Sequence, residues 1–281
     1  MTKELLNLTG KIDAQTTSLL KTIVDVTTEQ KTKYIIVGAT ARDLVLHYGY
    51  NTPVQRATKD LDFTVEVESW EAFNNVRDAL IQKGCTMDSL VQHRLYSEND
   101  WPIDIVPFGG VENTHASIKW PPDDNPEMDV RGFKEASDNA QDVLISDNPQ
   151  LKIRVVTPEG LMLLKLIAWA DRPTELRKKD ADDVRYLLTN YLVTKNVQED
   201  IYNDQHAAEL EYYGWDPDLA ACSLLGKECR KIAAPGTSAE ILKLNESNSN
   251  ENIERIADEM TNTQPEKNLK LLDAFMRGFD G

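Results

Sequence analysis

Hydrophobic and polar positions follow two different patterns along the chain, and the change comes near residue 157. Before that point, short alternating or β-branched runs stand between amphipathic stretches with helical spacing. The runs predict strands at Tyr34–Val37, Leu61–Val67, Val91–Tyr96, Ile103–Phe108, Val143–Ser146 and Leu151–Val156. Helices are predicted from the cap Asp13 to about Thr28, after the cap Ser69, and at Arg131–Ala140. The proline-rich stretch Gly109–Asp129 is predicted to be irregular.

From Thr157 onward the pattern is helical. Thr157 is followed by Pro158, which is a strong signal for the start of a helix. The next run, LMLLKLIAWA, is almost wholly apolar and predicts a buried helix. Further helices are predicted at Glu175–Tyr191, Asp218–Lys231, Ser238–Leu244, Asn252–Met260 and Glu266–Gly278. We therefore predict an α/β (α+β) domain over residues 1–156, with a mixed and substantially antiparallel sheet, and a helical C-terminal domain over 157–281.

The segment Asp60-Leu61-Asp62 carries the most specific chemistry. Side chains alternate along a strand, so Asp60 and Asp62 point the same way, about 6–7 Å apart. Such a pair can share two divalent metals of a phosphoryl-transfer site. Asp104, in WPIDIVPF, stands between two apolar residues and is the candidate third ligand. We expect the three acids to bind two Mg²⁺ ions, with Asp104 also orienting or deprotonating the attacking hydroxyl. The alternative is a set of ordinary acids that face solvent.

Candidate phosphate-binding residues surround this segment. Gly38 turns a strand into a helix N-terminus, an arrangement that suits an anion. Thr40 is a candidate donor to a phosphate oxygen, or else caps the helix. Arg56 and Lys59 flank the acids and are candidate phosphate ligands, with solvated loop charges as the equal alternative.

Lys165 lies inside the apolar helix, where a charge is costly without an anionic partner. We expect it to face phosphate and to offset the charge that develops during transfer. The alternative is a lysine that reaches solvent or pairs with Asp180 or Asp183. Those two acids lie three residues apart on one predicted helix face. They could orient Lys165 or a basic neighbour, or form a structural salt bridge.

The composition limits the partners. The chain carries 31 basic and 47 acidic residues, a net charge of −16, which argues against broad contact with nucleic acid in the absence of a partner. A local basic pocket can still hold a small nucleotide.

No apolar run approaches the roughly 20 residues of a membrane span, and the N-terminus lacks the apolar core of a signal peptide. The three cysteines show no CxxC spacing. We expect a soluble cytoplasmic protein.

Several segments together resemble a bacterial family of nucleotidyltransferases related to the AbiEii-type toxins. They are VGATARDLVL, RATKDLDFTVEVESWEAF, PIDIVPFGGVE, IKWPPD, LLKLIAWADRP and KKDADDVRYLL, and the resemblance covers nearly the whole chain. It implies a polymerase-beta-like nucleotidyltransferase fold, an NTP substrate and a cognate antitoxin. Some AbiEii-like toxins add nucleotides to tRNA 3′ ends, which implies RNA as acceptor.

The resemblance also assigns roles to residues. It implies metal ligation by Asp60, Asp62 and Asp104, a nucleotide loop at Gly38 and Thr40, and a functional Lys165 with a downstream acid, Asp180 or Asp183. The chain departs from the common pattern in two ways, since Ala39 follows Gly38 and Asp60 comes 22 residues after Gly38. VGATARD and KDLDFTV also resemble tRNA CCA-adding enzymes, whose downstream helical motifs this chain lacks.

Two functional hypotheses follow. The first is a Mg²⁺-dependent nucleotidyltransferase that moves an NMP from an NTP to a hydroxyl on a tRNA 3′ end, another RNA or a protein. The second is a non-catalytic nucleotide-sensing or protein-interaction module on the same fold.

Overall fold

The computed structural model describes residues 5–55, 60–122, 124–203, 206–245, 250–261 and 264–281. The chain divides into two compact units, Met1–Thr157 and Pro158–Gly281. The first unit contains strands and helices, and the second is helical in its described part, so the fold class is a mixed α/β protein with a helical C-terminal part, as predicted.

The first unit is built on a mixed sheet. The described strands are β1 (Leu6–Asn7), β2 (Lys33–Val37), β3 (Leu61–Val67), β4 (Thr86–Met87), β5 (Arg94–Tyr96), β6 (Pro102–Gly109), β7 (Ser117–Lys119), β8 (Glu127–Asp129), β9 (Gln141–Asp147) and β10 (Gln150–Val155). Eight of them form one sheet in the order β1-β9-β10-β2-β3-β6-β5-β4. At its centre β3 is antiparallel to β2 and parallel to β6, and β6 is antiparallel to β5. This order sets β3 and β6 side by side, which matters for the acids they carry.

Two helices of the first unit begin at the predicted caps. The described helices of this unit are α1 (Ala14–Glu29), α2 (Gly38–Arg42), α3 (Trp70–Gln82) and α4 (Phe133–Asp138), with a π-helical segment at Asp43–Gly49 after α2. Asp13 caps α1 by accepting from the N–H of Thr16, and Ser69 caps α3 by accepting from the N–H of Ala72. Both caps satisfy a backbone donor that the helix itself leaves unpaired, which confirms the predicted starts.

Three examples from the first unit show where the local predictions were wrong. The stretch Gly109–Asp129 is not irregular throughout, because β7 pairs with β8 there and buries Ile118. The strand predicted from Val91 begins only at Arg94, since Asp88 accepts from the N–H groups of Leu90 and Val91 and forms a turn. The helix predicted from Arg131 begins at Phe133, after Gly132 at φ 84°.

The second unit consists of helices in its described part. They are α5 (Pro158–Asp171), α6 (Lys178–Asn190), α7 (Lys195–Asp200), α8 (Ala207–Tyr212), α9 (Pro217–Ile232), α10 (Pro235–Lys243), α11 (Asn250–Glu259) and α12 (Pro265–Asp280), with a 3₁₀ turn at Tyr191–Val193. α9 and α12 pack closely through glycines. A β-carbon at Gly278 would overlap the carbonyl oxygen of Ser223, and one at Gly226 would overlap that of Phe275. Small residues on both helices therefore let the two backbones touch.

All three cysteines are buried free thiols. Cys85 is in the first unit, and Cys222 and Cys229 lie on α9 of the second. Burial raises the pKa of each thiol above its ordinary value, because a thiolate is poorly solvated there. They are therefore unreactive as long as each unit is folded.

Candidate active site

Three carboxylates meet on one face of the sheet. Asp60 directly precedes β3, Asp62 lies on β3, and Asp104 lies on β6. In the parallel register of these strands Asp62 is opposite Asp104, so both side chains leave the sheet on the same side. One carboxylate oxygen from each of the three acids lies within 4.8 Å of the others. Their apolar neighbours Ile103 and Ile105 are buried on the other face, as the alternation predicted.

The turn at Gly38 lies directly against this cluster. Gly38 has φ +68°, and a β-carbon there would overlap the Asp62 carboxylate, with only 2.7 Å to Cγ. Val37, the last residue of β2, pairs with Asp62. The backbone at the start of α2 therefore contacts an acid of the DxD segment, and only glycine allows so close an approach.

Thr40 also binds the segment that carries the acids. Its hydroxyl donates to the backbone carbonyl of Asp60 at 2.9 Å. A hydroxyl has one proton, so in this geometry Thr40 fixes the position of Asp60, and its role toward a phosphate oxygen stays a prediction. Arg56 and Lys59 lie outside the described residues.

An arginine that the sequence analysis missed binds the third acid. Arg94, on β5, is the cross-strand partner of Asp104. Its Nε donates to Asp104 Oδ1 and its Nη2 to Oδ2, both at 2.7 Å. This fork raises the pKa of Arg94 above its ordinary value, with the negative charge of Asp60 contributing in the same direction. The signal in the sequence was the closeness of the two strands predicted at Val91–Tyr96 and Ile103–Phe108, since consecutive strands joined by a short turn commonly pair.

Lys165 is in the second unit, on α5, and its amine lies between two buried acids of α6. Its Nζ is 3.0 Å from Asp180 Oδ1 and 2.7 Å from Asp183 Oδ2. Both carboxylates are fully buried, and Asp180 also accepts from Arg172 Nη1 at 2.6 Å. Burial by itself lowers the pKa of Lys165, but the two carboxylates outweigh it and hold the pKa above its ordinary value. The lysine is therefore charged and paired, as the structural alternative proposed. Its role at phosphate stays a prediction.

The acidic cluster suits a divalent metal by its chemistry. Asp60, Asp62 and Asp104 offer oxygen ligands, which Mg²⁺ prefers, and all three are partly accessible to solvent. A bound divalent ion would neutralise charge on a phosphate group and activate a hydroxyl. The three acids would hold it.

This arrangement defines a class of protein, the nucleotidyltransferases. The comparison with family models identifies the particular family within that class. The model of the family described as "Nucleotidyl transferase AbiEii toxin, Type IV TA system" matches residues 19–276. The chain therefore belongs to the AbiEii nucleotidyltransferase family, which confirms the resemblance drawn from its motifs. It is an enzyme of the nucleotidyltransferase class.

Solved structures with similar folds are distant in sequence. The lincosamide antibiotic adenylyltransferase LnuA, bound to lincomycin, is 19% identical, and the match covers 60% of this chain and 94% of LnuA with a TM-score of 0.38. ANT(2″)-Ia in complex with adenylyl-2″-tobramycin is 15% identical, covering 71% and 99% of the two chains at 0.40. The Thermotoga maritima CCA-adding enzyme complexed with tRNA is 12% identical, covering 97% and 80% at 0.27.

No curated protein sequence matches the chain significantly. Among the helices that the structure describes, none combines the length and the apolar character needed to cross a membrane.

Proposed function

We propose that this chain is a Mg²⁺-dependent nucleotidyltransferase that moves an NMP from an NTP to a hydroxyl of RNA, with a tRNA 3′ end as the leading acceptor. One observation carries the proposal. Three carboxylates, two of them on the adjacent strands β3 and β6, lie close together, and that of Asp62 lies against the Gly38 turn, in a chain of the AbiEii family. Carboxylates at this spacing match the ligand set of metal-dependent phosphoryl transfer.

The reaction balances as a simple displacement. The acceptor oxygen forms a bond to the α-phosphorus, and the bond from that phosphorus to the bridging oxygen of the β-phosphate breaks. Pyrophosphate leaves with the bonding electrons, and the hydroxyl proton passes to a carboxylate of the acidic cluster or to water. Asp60, Asp62 and Asp104 would hold Mg²⁺. The predicted role of Lys165 at phosphate is a separate proposal, with Asp180 and Asp183 as the acids that position its amine.

The family and the thiols support two wider proposals. The AbiEii description names a type IV toxin–antitoxin system, which supports a protein antitoxin as partner of this chain. The three cysteines are free in the structure, which supports a reducing compartment, the cytoplasm.

Arg56, by its position before Asp60, is proposed to bind the triphosphate of the NTP.

The decisive experiment follows label from NTP to acceptor. The protein is incubated with each α-labelled NTP, Mg²⁺ and total bacterial RNA, beside the variant Asp60→Asn/Asp62→Asn. We expect labelled RNA with the unaltered protein and a loss of at least about 100-fold with the variant, because its amides bind metal weakly. Glu66→Gln is the matched control, since it removes one carboxylate from the same strand, where Glu66 pairs with exposed Lys33.

Each outcome has a distinct meaning. Label in protein instead of RNA would make a protein hydroxyl the acceptor. Equal labelling of RNA by Asp60→Asn/Asp62→Asn would contradict the assignment of Asp60 and Asp62 as metal ligands. An absence of both labelling and Mg²⁺-dependent NTP binding would favour the non-catalytic interaction module.

A further inference from the structure

Two flat side chains lie beside the acids on the same face of the sheet. Arg94 on β5 is directly opposite Asp104 on β6, and Tyr96 follows two residues later on the same strand. Side chains two residues apart on a strand point to the same face, so the phenol of Tyr96 lies on the face that carries the acids. Tyr96 is the diagonal neighbour of Asp104, and the α-carbons of such positions are about 7–8 Å apart.

The phenol of Tyr96 is held by its hydroxyl. The hydroxyl donates to Asp88 Oδ2 at 2.9 Å. The other oxygen of Asp88 accepts from the backbone N–H groups of Leu90 and Val91, at 2.7 and 2.9 Å. Because the backbone fixes the carboxylate and the carboxylate holds the hydroxyl, the orientation of the Tyr96 ring is restricted before any ligand binds.

The ring is neutral and lies beside a permanent cation. The hydrogen bond to Asp88 raises the pKa of Tyr96 above its ordinary value, and the nearby positive charge of Arg94 acts in the opposite direction. Arg94 is held in turn by its fork to Asp104, and a guanidinium keeps its proton at every working pH. The Arg94 side chain is 30% exposed and Tyr96 is half-buried, so a ligand can reach both.

These are the groups on which proteins stack unpaired bases. Bases of single-stranded nucleic acid stack on aromatic rings and on the planes of arginine guanidinium groups. A nucleotide whose phosphate lies at the acids carries its base one ribose away. The separation between Tyr96 and Asp104 suits that span.

We propose that Tyr96, with Arg94 beside it, is the stacking platform for a nucleobase of the transfer reaction, which is either the base of the NTP or the base at the acceptor 3′ end. The proposal rests on the proposed function, because it needs a nucleotide phosphate at the acidic cluster. Stacking tolerates every base, since each has a π-face. The platform therefore contributes affinity and position, and leaves the choice among bases to other contacts.

The test removes the ring and the base in turn. With Mg²⁺ present, calorimetry compares the binding of an NTP with that of ribose 5′-triphosphate, which has no base. Fluorescence anisotropy compares a 5′-labelled RNA with the same RNA carrying an abasic 3′-terminal nucleotide. Where the base stacks on Tyr96, we expect Tyr96→Ala to weaken binding of the intact ligand about 5–100-fold. Binding of its base-free counterpart should stay within about 2-fold, because it has no base to stack.

Two further variants separate stacking from a structural role. Tyr96→Phe keeps the ring and loses only the hydroxyl, so it should retain the affinity within about 3-fold. Tyr34→Ala is the matched control, since it also removes a half-buried tyrosine from the same sheet. Tyr34 lies on the opposite face, because Val37, three residues later, pairs with Asp62. It should leave the binding of all four ligands unchanged.

The outcomes are distinguishable. A base-dependent loss with the NTP alone assigns the platform to the incoming nucleotide, and one with the RNA alone assigns it to the acceptor, and either result supports the proposal. Equal weakening of intact and base-free ligands by Tyr96→Ala, or no weakening of any ligand, would overturn it and leave the proposed function intact. If the unaltered protein bound neither NTP nor RNA, the proposed function would fail, and the platform with it.

Discussion

At the scale of single residues, Gly38 is the most constrained position near the acids. Its positive φ is a conformation that side chains other than glycine adopt at a cost. Its missing β-carbon also leaves the space that the Asp62 carboxylate fills. Two separate demands, one on the backbone and one on space, therefore meet in one residue.

Alanine substitutions at Gly38 and at Gly10 should separate the demand on the backbone from the demand on space. We expect Gly38→Ala to displace the Asp62 carboxylate and to weaken Mn²⁺ binding and nucleotidyl transfer about 10–100-fold. The positive φ should also cost about 1–2 kcal/mol of unfolding free energy, measured by denaturant titration. Gly10→Ala is the control, since Gly10 has φ +76° with nothing within 4 Å of its β-carbon position. Equal metal affinity in both variants would contradict the role of space at Gly38.

The placement of the acids could be predicted from the sequence more fully than the residues that pair with them. The alternation of a strand was sufficient to place Asp62 and Asp104 away from the core, because that pattern depends only on local spacing. The fork from Arg94 depends on the register between two strands, which periodicity does not define. Lys165 was expected at phosphate, and the structure pairs it with Asp180 and Asp183, because the choice among anions is made by tertiary packing.

At the scale of elements, the contact between α9 and α12 depends on glycines in both helices. The backbones approach so closely that a β-carbon at Gly278 would be 2.7 Å from the carbonyl carbon of Ser223. Neither helix can move away without exposing apolar residues such as Leu225 and Phe275, which are fully buried. The clash is with backbone atoms and cannot be relieved by a rotamer change.

Alanine at Gly278 should therefore destabilise the second unit although alanine favours helices. We expect Gly278→Ala to lower the unfolding free energy by about 2–4 kcal/mol, as overpacking in a core does. Gly236→Ala, in α10, is the matched control, because its β-carbon would meet nothing within 4 Å. It should leave stability unchanged or raise it by up to about 1 kcal/mol. Both variants can be compared by thermal and chemical unfolding. If Gly278→Ala and Gly236→Ala changed the unfolding free energy equally, the close contact at Gly278 would be unimportant for stability.

Element prediction succeeded where a local signal was present. Asp13 and Ser69 begin helices as predicted, since a cap needs only its own side chain and the next N–H groups. The β7–β8 pair was missed, because its three-residue strands lie within a proline-rich stretch and depend on burial of Ile118. Such a strand is created by its tertiary environment.

At the scale of the whole molecule, the net charge of −16 limits how RNA can be held. An acidic protein cannot release many counterions from RNA, so the proposed acceptor should be gripped at a few phosphates near its end. Over about 50–200 mM salt, we expect the logarithm of the RNA affinity to fall with a slope no steeper than about −3. Binding can be measured by fluorescence anisotropy with the unaltered chain. A slope near −7, typical of about ten phosphate contacts, would contradict this picture.

The rate at which the buried cysteines react with a thiol reagent reports how often each unit opens. A thiol reagent modifies Cys85 only after the first unit opens, and Cys222 or Cys229 only after the second does, because each is shielded in the folded state. Mass spectrometry of peptides labelled over time would therefore report the lifetime of each unit separately, in one sample and without an added dye. An antitoxin, metal or nucleotide that binds one unit would reveal its target by which cysteine it slows.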